Sequence, residues 1–290
     1  MWIAATINRI RKTLAAKRRP PIVPLIIVLA LVLTGIFGPL FAPYSPYKGA
    51  LSDRLLPPFW QDGGSTEHLL GTDVFGRDVL TRLIYGARVS LAVSLLTLLI
   101  ASVIGSFIGL VSGYFGGWVD AIIMRVVDLM LSLPNILIAF VIVAVFGPSL
   151  TIIVLVVVLV VWARYARQVR AEVLSIKERD FVALARTAGC SHLRIIFKHI
   201  FPNVTNTLIV IITLQVGWVI LLEASLSFLG VGIPPPTPAW GVMVADGRAI
   251  INSAWWISTI PGIAILLVVL SLNLFGDWLR DVLDPKMRQI

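Results

Sequence analysis

Cysteine, histidine and charge are all scarce in this chain, and each scarcity removes a class of chemistry. A single cysteine, Cys190, excludes an intramolecular disulfide, and with only the three histidines His68, His192 and His199 it cannot build a Cys/His metal cluster. No Gly-Lys pair occurs anywhere in the sequence. A phosphate-cradling loop needs that pair, so the chain is expected to carry no ATP site or other cofactor of its own. Charged residues make up 13% of the 290, about half the share of an ordinary soluble domain. What fills the space is apolar: 58% of the residues are hydrophobic, which places the chain among all-α polytopic membrane proteins. The net charge of +9 does not point to nucleic acid, because the basic residues gather at the ends of apolar runs rather than on one soluble face.

Windows long enough to cross ~30 Å of hydrocarbon occur at 22–42, 89–111, 126–146, 149–165, 207–230 and 257–276. Six spans put both termini on one side. The N-terminal K-R-R at 17–19 precedes an apolar run without an A-x-A-like site, so that run reads as a retained span and not a cleaved signal. With the N-terminus cytoplasmic, the outer segments hold Lys48, Arg54, Arg77, Arg82, Arg88 and Arg248, and the other 18 of 24 Lys and Arg lie inside. The expected organisation is a basic tail 1–21, a first span 22–42, an outer segment 43–88, a five-span core 89–276 and a C-terminal tail 277–290. The core contains a cytoplasmic loop 164–206 and an outer loop 231–256. Gly147 to Ser149 form a tight turn between two spans, Pro134 and Pro261 should kink theirs, and the four prolines of P-P-P-T-P at 234–238 should stiffen the outer loop. Asp120, Arg125 and Asp128 make the start of the third span the least regular boundary.

Glu223 is the one strong intramembrane carboxylate. It supports either an ion-coupled transporter or a structural pairing with a serine near the outer end of its span. No histidine falls within a span, so a membrane hydrolase is disfavoured. A surface scaffold is disfavoured too, because it has no use for kinked spans.

In the cytoplasmic loop, Asp180 can cap a helix through Ala188, Gly189 supplies a turn, and Ser191 can cap a second helix that Pro202 ends. Leu193, Ile196, Phe197 and Ile200 recur at i, i+3, i+4, i+7 and predict one apolar face. Such a helix pair either lies on anionic lipid or docks in a groove of another protein.

The loop resembles the cytoplasmic E-A-A…G motif of ABC importer permeases. Ala185, Gly189 and Pro202 match its spacing, while Ala183 stands in place of the acidic residue, Leu184 in place of the middle alanine, and His199-Ile200-Phe201 in place of I-x-L. F-A-P-Y-S-P-Y, H-L-L-G-T-D-V-F-G-R-D-V-L-T-R-L at 68–83, G-Y-F-G-G-W-V-D at 113–120, A-S-L-S-F-L-G-V-G-I-P-P-P-T-P-A-W-G at 224–241 and G-D-W-L-R-D-V-L-D-P-K at 276–286 are similar to the C-type subunit of the peptide and nickel permease family. The resemblance implies a type I ABC importer fold in a prokaryotic cytoplasmic (inner) membrane. It implies a paralogous B-type permease as partner, two ATP-binding subunits that hold ATP and Mg, and an extracytoplasmic solute-binding protein. Ala183, Leu184, Ala185, Arg186, Gly189, Ser191, Leu193, Arg194, Phe197 and Pro202 are then the expected coupling residues. Asn135, Trp218 and Glu223 are expected along the substrate pathway, and Pro235, Pro236 and Trp240 at the binding-protein face. Peptide is the family default, with nickel chelates, glutathione-like and sugar-like ligands left open.

Overall fold

The computed structural model describes residues 20–283; the basic tail up to residue 19 and the last residues 284–290 lie outside it. Among the described residues there are no strands, only an isolated bridge between Thr72 and Asp78. Apart from a short 3-10 turn at Leu51–Asp53, nine helices among the described residues carry the fold: α1 (Ile22–Phe41), α2 (Val79–Phe115), α3 (Gly117–Ser132), α4 (Asn135–Phe146), α5 (Leu150–Lys177), α6 (Asp180–Thr187), α7 (His192–Phe228), α8 (Trp240–Arg248) and α9 (Trp256–Leu283). Five of them are long and apolar enough to cross a membrane, and a sixth crossing exists if α3 and α4 count as one.

The helices overrun the apolar windows because polar caps and tertiary contacts fix their ends, whereas hydropathy marks only the part inside lipid. α2 starts at Val79, ten residues before its window, where Asp78 accepts a hydrogen bond from the Thr81 amide at 2.7 Å. α5 continues to Lys177, so the first third of the expected cytoplasmic loop is helix. The Ser149 side chain caps its start through the Ile152 amide.

Pro134 does more than kink its span. Leu133 is extended, as a residue before proline prefers, and α3 and α4 meet at 86°. At 1.5 Å per residue α3 is about 24 Å long and α4 about 18 Å, so neither crosses a ~30 Å layer alone. α3 is fastened to α5 by Asp120 to Arg170 and Asp128 to Arg167, each at 2.5 Å, which accounts for two of the three charges that interrupt the apolar run.

The tightest packing is α2 on α5. Gly105, Gly109 and Gly113 repeat every four residues on α2. A Cβ on Gly109 would stand 2.6 Å from the Ala166 carbonyl oxygen, and one on Gly113 2.8 Å from the Val173 Cβ. Small residues at this spacing let two backbones approach, which is how helices associate where lipid removes the hydrophobic drive. At the end of the bundle away from α6, the indoles of Trp240 and Trp256 donate to the carbonyls of Leu83 (2.9 Å) and Thr72 (3.0 Å), and so tie α8 and the segment before α2 to the spans.

Candidate functional site

One end of the molecule, expected from the sequence to be the cytoplasmic one, is an elbow made by α6, Gly189 and the start of α7. Gly189 has φ +75°, and its turn closes α6 with two bonds: Cys190 N–H to Ala185 C=O at 3.1 Å and Gly189 N–H to Arg186 C=O at 3.0 Å. That pair is the Schellman cap, which needs a left-handed residue at this place. Asp180 is the first residue of α6 and not its cap, which is Arg179. Ser191 holds the cap position of α7, but its side chain makes no capping bond.

Pro202 does not end the second helix. A π-helical turn at Ile195–Ile200, closed by Phe201 N–H to Ile196 C=O, widens the backbone ahead of the proline ring, and α7 runs on to Phe228. The wide turn also changes which side chains share a face. The predicted four-residue apolar face divides: Ile196 and Ile200 are buried together with Ile195, while Leu193 and Phe197 stay 68% and 57% exposed.

The buried half joins the elbow to the spans. Val182, Ala185, Ile195, Ile196 and Ile200 pack with Leu110 and Tyr114 of α2 and with Val169, Val173 and Ile176 of α5. Tyr114 hydrogen-bonds His192 Nδ1 at 2.8 Å, the Arg186 guanidinium lies 5.8 Å from the Tyr114 ring, and Lys177 donates to the Gly113 carbonyl at 3.1 Å. The exposed half comprises Ala183, Leu184, Arg186, Leu193, Arg194 and Phe197, with Leu184 69% exposed. Leu184, Leu193 and Phe197 thus leave a group of large apolar side chains uncovered on the elbow.

The expected pathway residues separate. Glu223 is fully buried one turn before the end of α7, where one carboxylate oxygen accepts from Ser227 Oγ at 2.7 Å and Oε2 has no hydrogen-bond partner among the described residues. Asn135 is half-buried at the first position of α4, directly after the break. Trp218 is half-buried and stacks under the Arg164 guanidinium at 3.9 Å, a contact that Arg164's place at the end of an apolar window gave no reason to expect.

At the outer face Pro235 and Pro236 are exposed, as a docking role requires, but Trp240 is only 3% exposed. Its ring fills the gap left by Gly86, so it is an internal anchor and cannot meet a binding protein. Sequence reasoning missed the buried charge cluster beside it. Asp73 holds Arg77 at 2.7 Å and Arg82 at 3.3 Å; Asp246 approaches Arg82 at 3.5 Å and Arg77 at 3.8 Å. Burial, opposed mainly by Arg82, holds the Asp246 carboxyl above the usual aspartate range. The signal was the dense run of Asp and Arg before α2, but its partner Asp246 lies far along the chain.

The described residues thus form a bundle of helices long and apolar enough to cross a membrane, with an elbow at one end and a cap at the other. The family model described as the binding-protein-dependent transport system inner membrane component matches residues 105–289, and that of the N-terminal membrane domain of oligopeptide transport permease C matches residues 17–58. The chain is 50% identical over 273 residues to the dipeptide transport system permease protein DppC of Escherichia coli K12, covering 94% of this chain and 91% of that protein. It is 44% identical over 264 residues to the di/tripeptide transport system permease protein DppC of Pseudomonas aeruginosa, covering 91% and 87% respectively. A solved structure of the MetNI methionine ABC transporter in inward-facing conformations shares the fold, with a TM-score of 0.59 and 17% identity over 69% of this chain and 96% of that one. The chain belongs to the family of binding-protein-dependent transport system inner membrane components, with the type I ABC importer permease fold. Membership removes the ion-coupled reading of Glu223, in keeping with that side chain's sealed setting.

Proposed function

We propose that this chain is the C-type permease subunit of an ATP-driven dipeptide importer, and that it forms half of the pathway with a paralogous B-type permease. The elbow carries the reading: its outer half offers Leu184, Leu193 and Phe197, while its inner half is packed into α2 and α5. One of two ATP-binding subunits, which hold ATP and Mg, docks on the outer half. Closure of the ATPase pair then pushes a body that cannot slide against the spans, and α2, α5 and α7 move with it. Both termini face the cytoplasm, in a prokaryotic inner membrane. A solute-binding protein delivers substrate to the outer cap around Pro235 and Pro236. The two dipeptide and di/tripeptide relatives support the substrate class over a nickel chelate or a glutathione-like or sugar-like ligand.

With Ala183 where the motif has an acidic residue, docking depends on apolar contact and shape. The test is Leu193→Asp with Phe197→Asp in the complete transporter. The pair of changes should abolish ATPase co-purification and dipeptide uptake while the permease heterodimer still assembles. Normal uptake would sink the assignment of this surface.

A further inference from the structure

Of the three arginines on α5, Arg167 and Arg170 are paired with Asp128 and Asp120. Arg164 has no carboxylate partner among the described residues. Its guanidinium lies 3.9 Å over the Trp218 indole of α7, and both side chains are half-exposed. Arg164 is fourteen residues into α5, about 21 Å along the helix from its start at 1.5 Å per residue, and is half-buried among apolar neighbours. A half-buried cation is costly, and a ring face alone does not replace its lost hydration.

The geometry points to what completes it. Stacking uses one face of the guanidinium plane and leaves the N–H edges, which match a carboxylate in a two-bond fork. The surroundings continue the same chemistry toward the elbow. Gln215 lies one turn from Trp218 on α7, and Gln168 one turn from Arg164 on α5; the first is half-exposed and the second exposed. Both amides lie one turn from the stacked pair and could serve a peptide group beside a terminal carboxylate.

We propose that Arg164, held flat by Trp218, binds the C-terminal carboxylate of the transported peptide within the membrane. This rests on the dipeptide reading above. A carboxylate contributed by the paired permease would satisfy the same arginine, and the test separates the two.

The complete transporter is reconstituted in proteoliposomes and ATP-driven uptake of dialanine is measured for R164Q, R164K and W218L. R164Q should lose about tenfold or more of uptake, as expected when a charge-assisted bond is removed. R164K keeps the charge but loses both the two-bond fork and the flat stack, so it should also lose uptake, though less than R164Q, and W218L, which removes only the stacking face, should lose less than R164K. Peptide-free ATPase activity and co-purification of the paired permease should not change. Unchanged uptake in R164Q would overturn the proposal, as would loss of the paired permease from R164Q, which would make Arg164 a subunit contact. If the unsubstituted complex imports no dialanine, the dipeptide reading itself fails, and the proposal with it.

Discussion

Gly189 allows the elbow to be tested by the order of a series and not by a single loss. A Cβ added at this position would meet nothing within 4 Å, so size alone carries no penalty. The whole cost comes from φ +75°, where an L residue loses roughly 1–2 kcal/mol relative to its preferred conformations. Asparagine tolerates the left-handed region better than alanine, and a β-branched residue least of all. The Schellman bonds to Ala185 and Arg186 are lost when the turn relaxes, and 1.4 kcal/mol is a tenfold change in the population of the formed elbow. Dipeptide uptake in proteoliposomes, measured alongside ATPase co-purification, should therefore fall in the order Gly, Asn, Ala, Val. Asparagine is bulkier than alanine, so a mechanism based on space predicts the reverse order for that pair. An uptake series in which Ala exceeds Asn would refute the backbone argument, and a flat series would refute any role for the turn.

Gly109→Ala should lower the thermal stability of the detergent-solubilised protein by about 1–3 kcal/mol, because the Ala166 carbonyl is backbone and cannot move aside, whereas Gly262→Ala, with open space around it, should be neutral or stabilising; equal melting shifts would refute the close-packing account. Asp246 binds its proton more tightly in the folded than in the unfolded protein, so its contribution is present below the ordinary aspartate pKa and lost as pH rises through the raised value. Unfolding measured from pH 3 upward should show that loss, and Asp246→Asn should flatten it; an unchanged pH slope in the variant would refute the assignment. Glu223→Gln should keep uptake near normal, because an amide oxygen can still accept from Ser227, while Glu223→Leu should reduce the yield of folded protein; loss of uptake in a well-folded Gln variant would restore a transport role for the carboxyl.

The spans were legible because their apolar windows are long, and the elbow because Gly189 sits at a fixed distance from Ala185. Their limits were less so: α2 starts ten residues before its window because Asp78 caps it by a local hydrogen bond that hydropathy does not register, and α5 runs past its window to Lys177. The division of the Leu193, Ile196, Phe197 and Ile200 face was hidden for a related reason: a uniform helical period cannot anticipate a wide turn, and that turn is also what lets the helix pass Pro202. Trp240 looked like a surface residue because it follows a run of prolines, yet Gly86, far upstream on α2, had left its ring a place. The α2 to α5 contact could have been found from Gly105, Gly109 and Gly113 alone, since their spacing states it directly. Arg164 was read as part of the positive cytoplasmic flank, and only its position over Trp218 sets it apart.

The break between α3 and α4 constrains where water enters. Each helix end leaves amides or carbonyls without partners along its own axis, and at the 86° bend the ends of two helices meet. Among them, Leu137 and Ile138 N–H reach the Pro134 carbonyl and Ser132 Oγ donates to Leu129 C=O, which leaves the Asn135 and Ile136 amides to be served from outside the two helices. Hydrocarbon offers them nothing. The outer side of this corner must therefore be wetted or covered by protein, which makes Pro134 a marker for a protected corner of the permease and not for its lipid-facing wall.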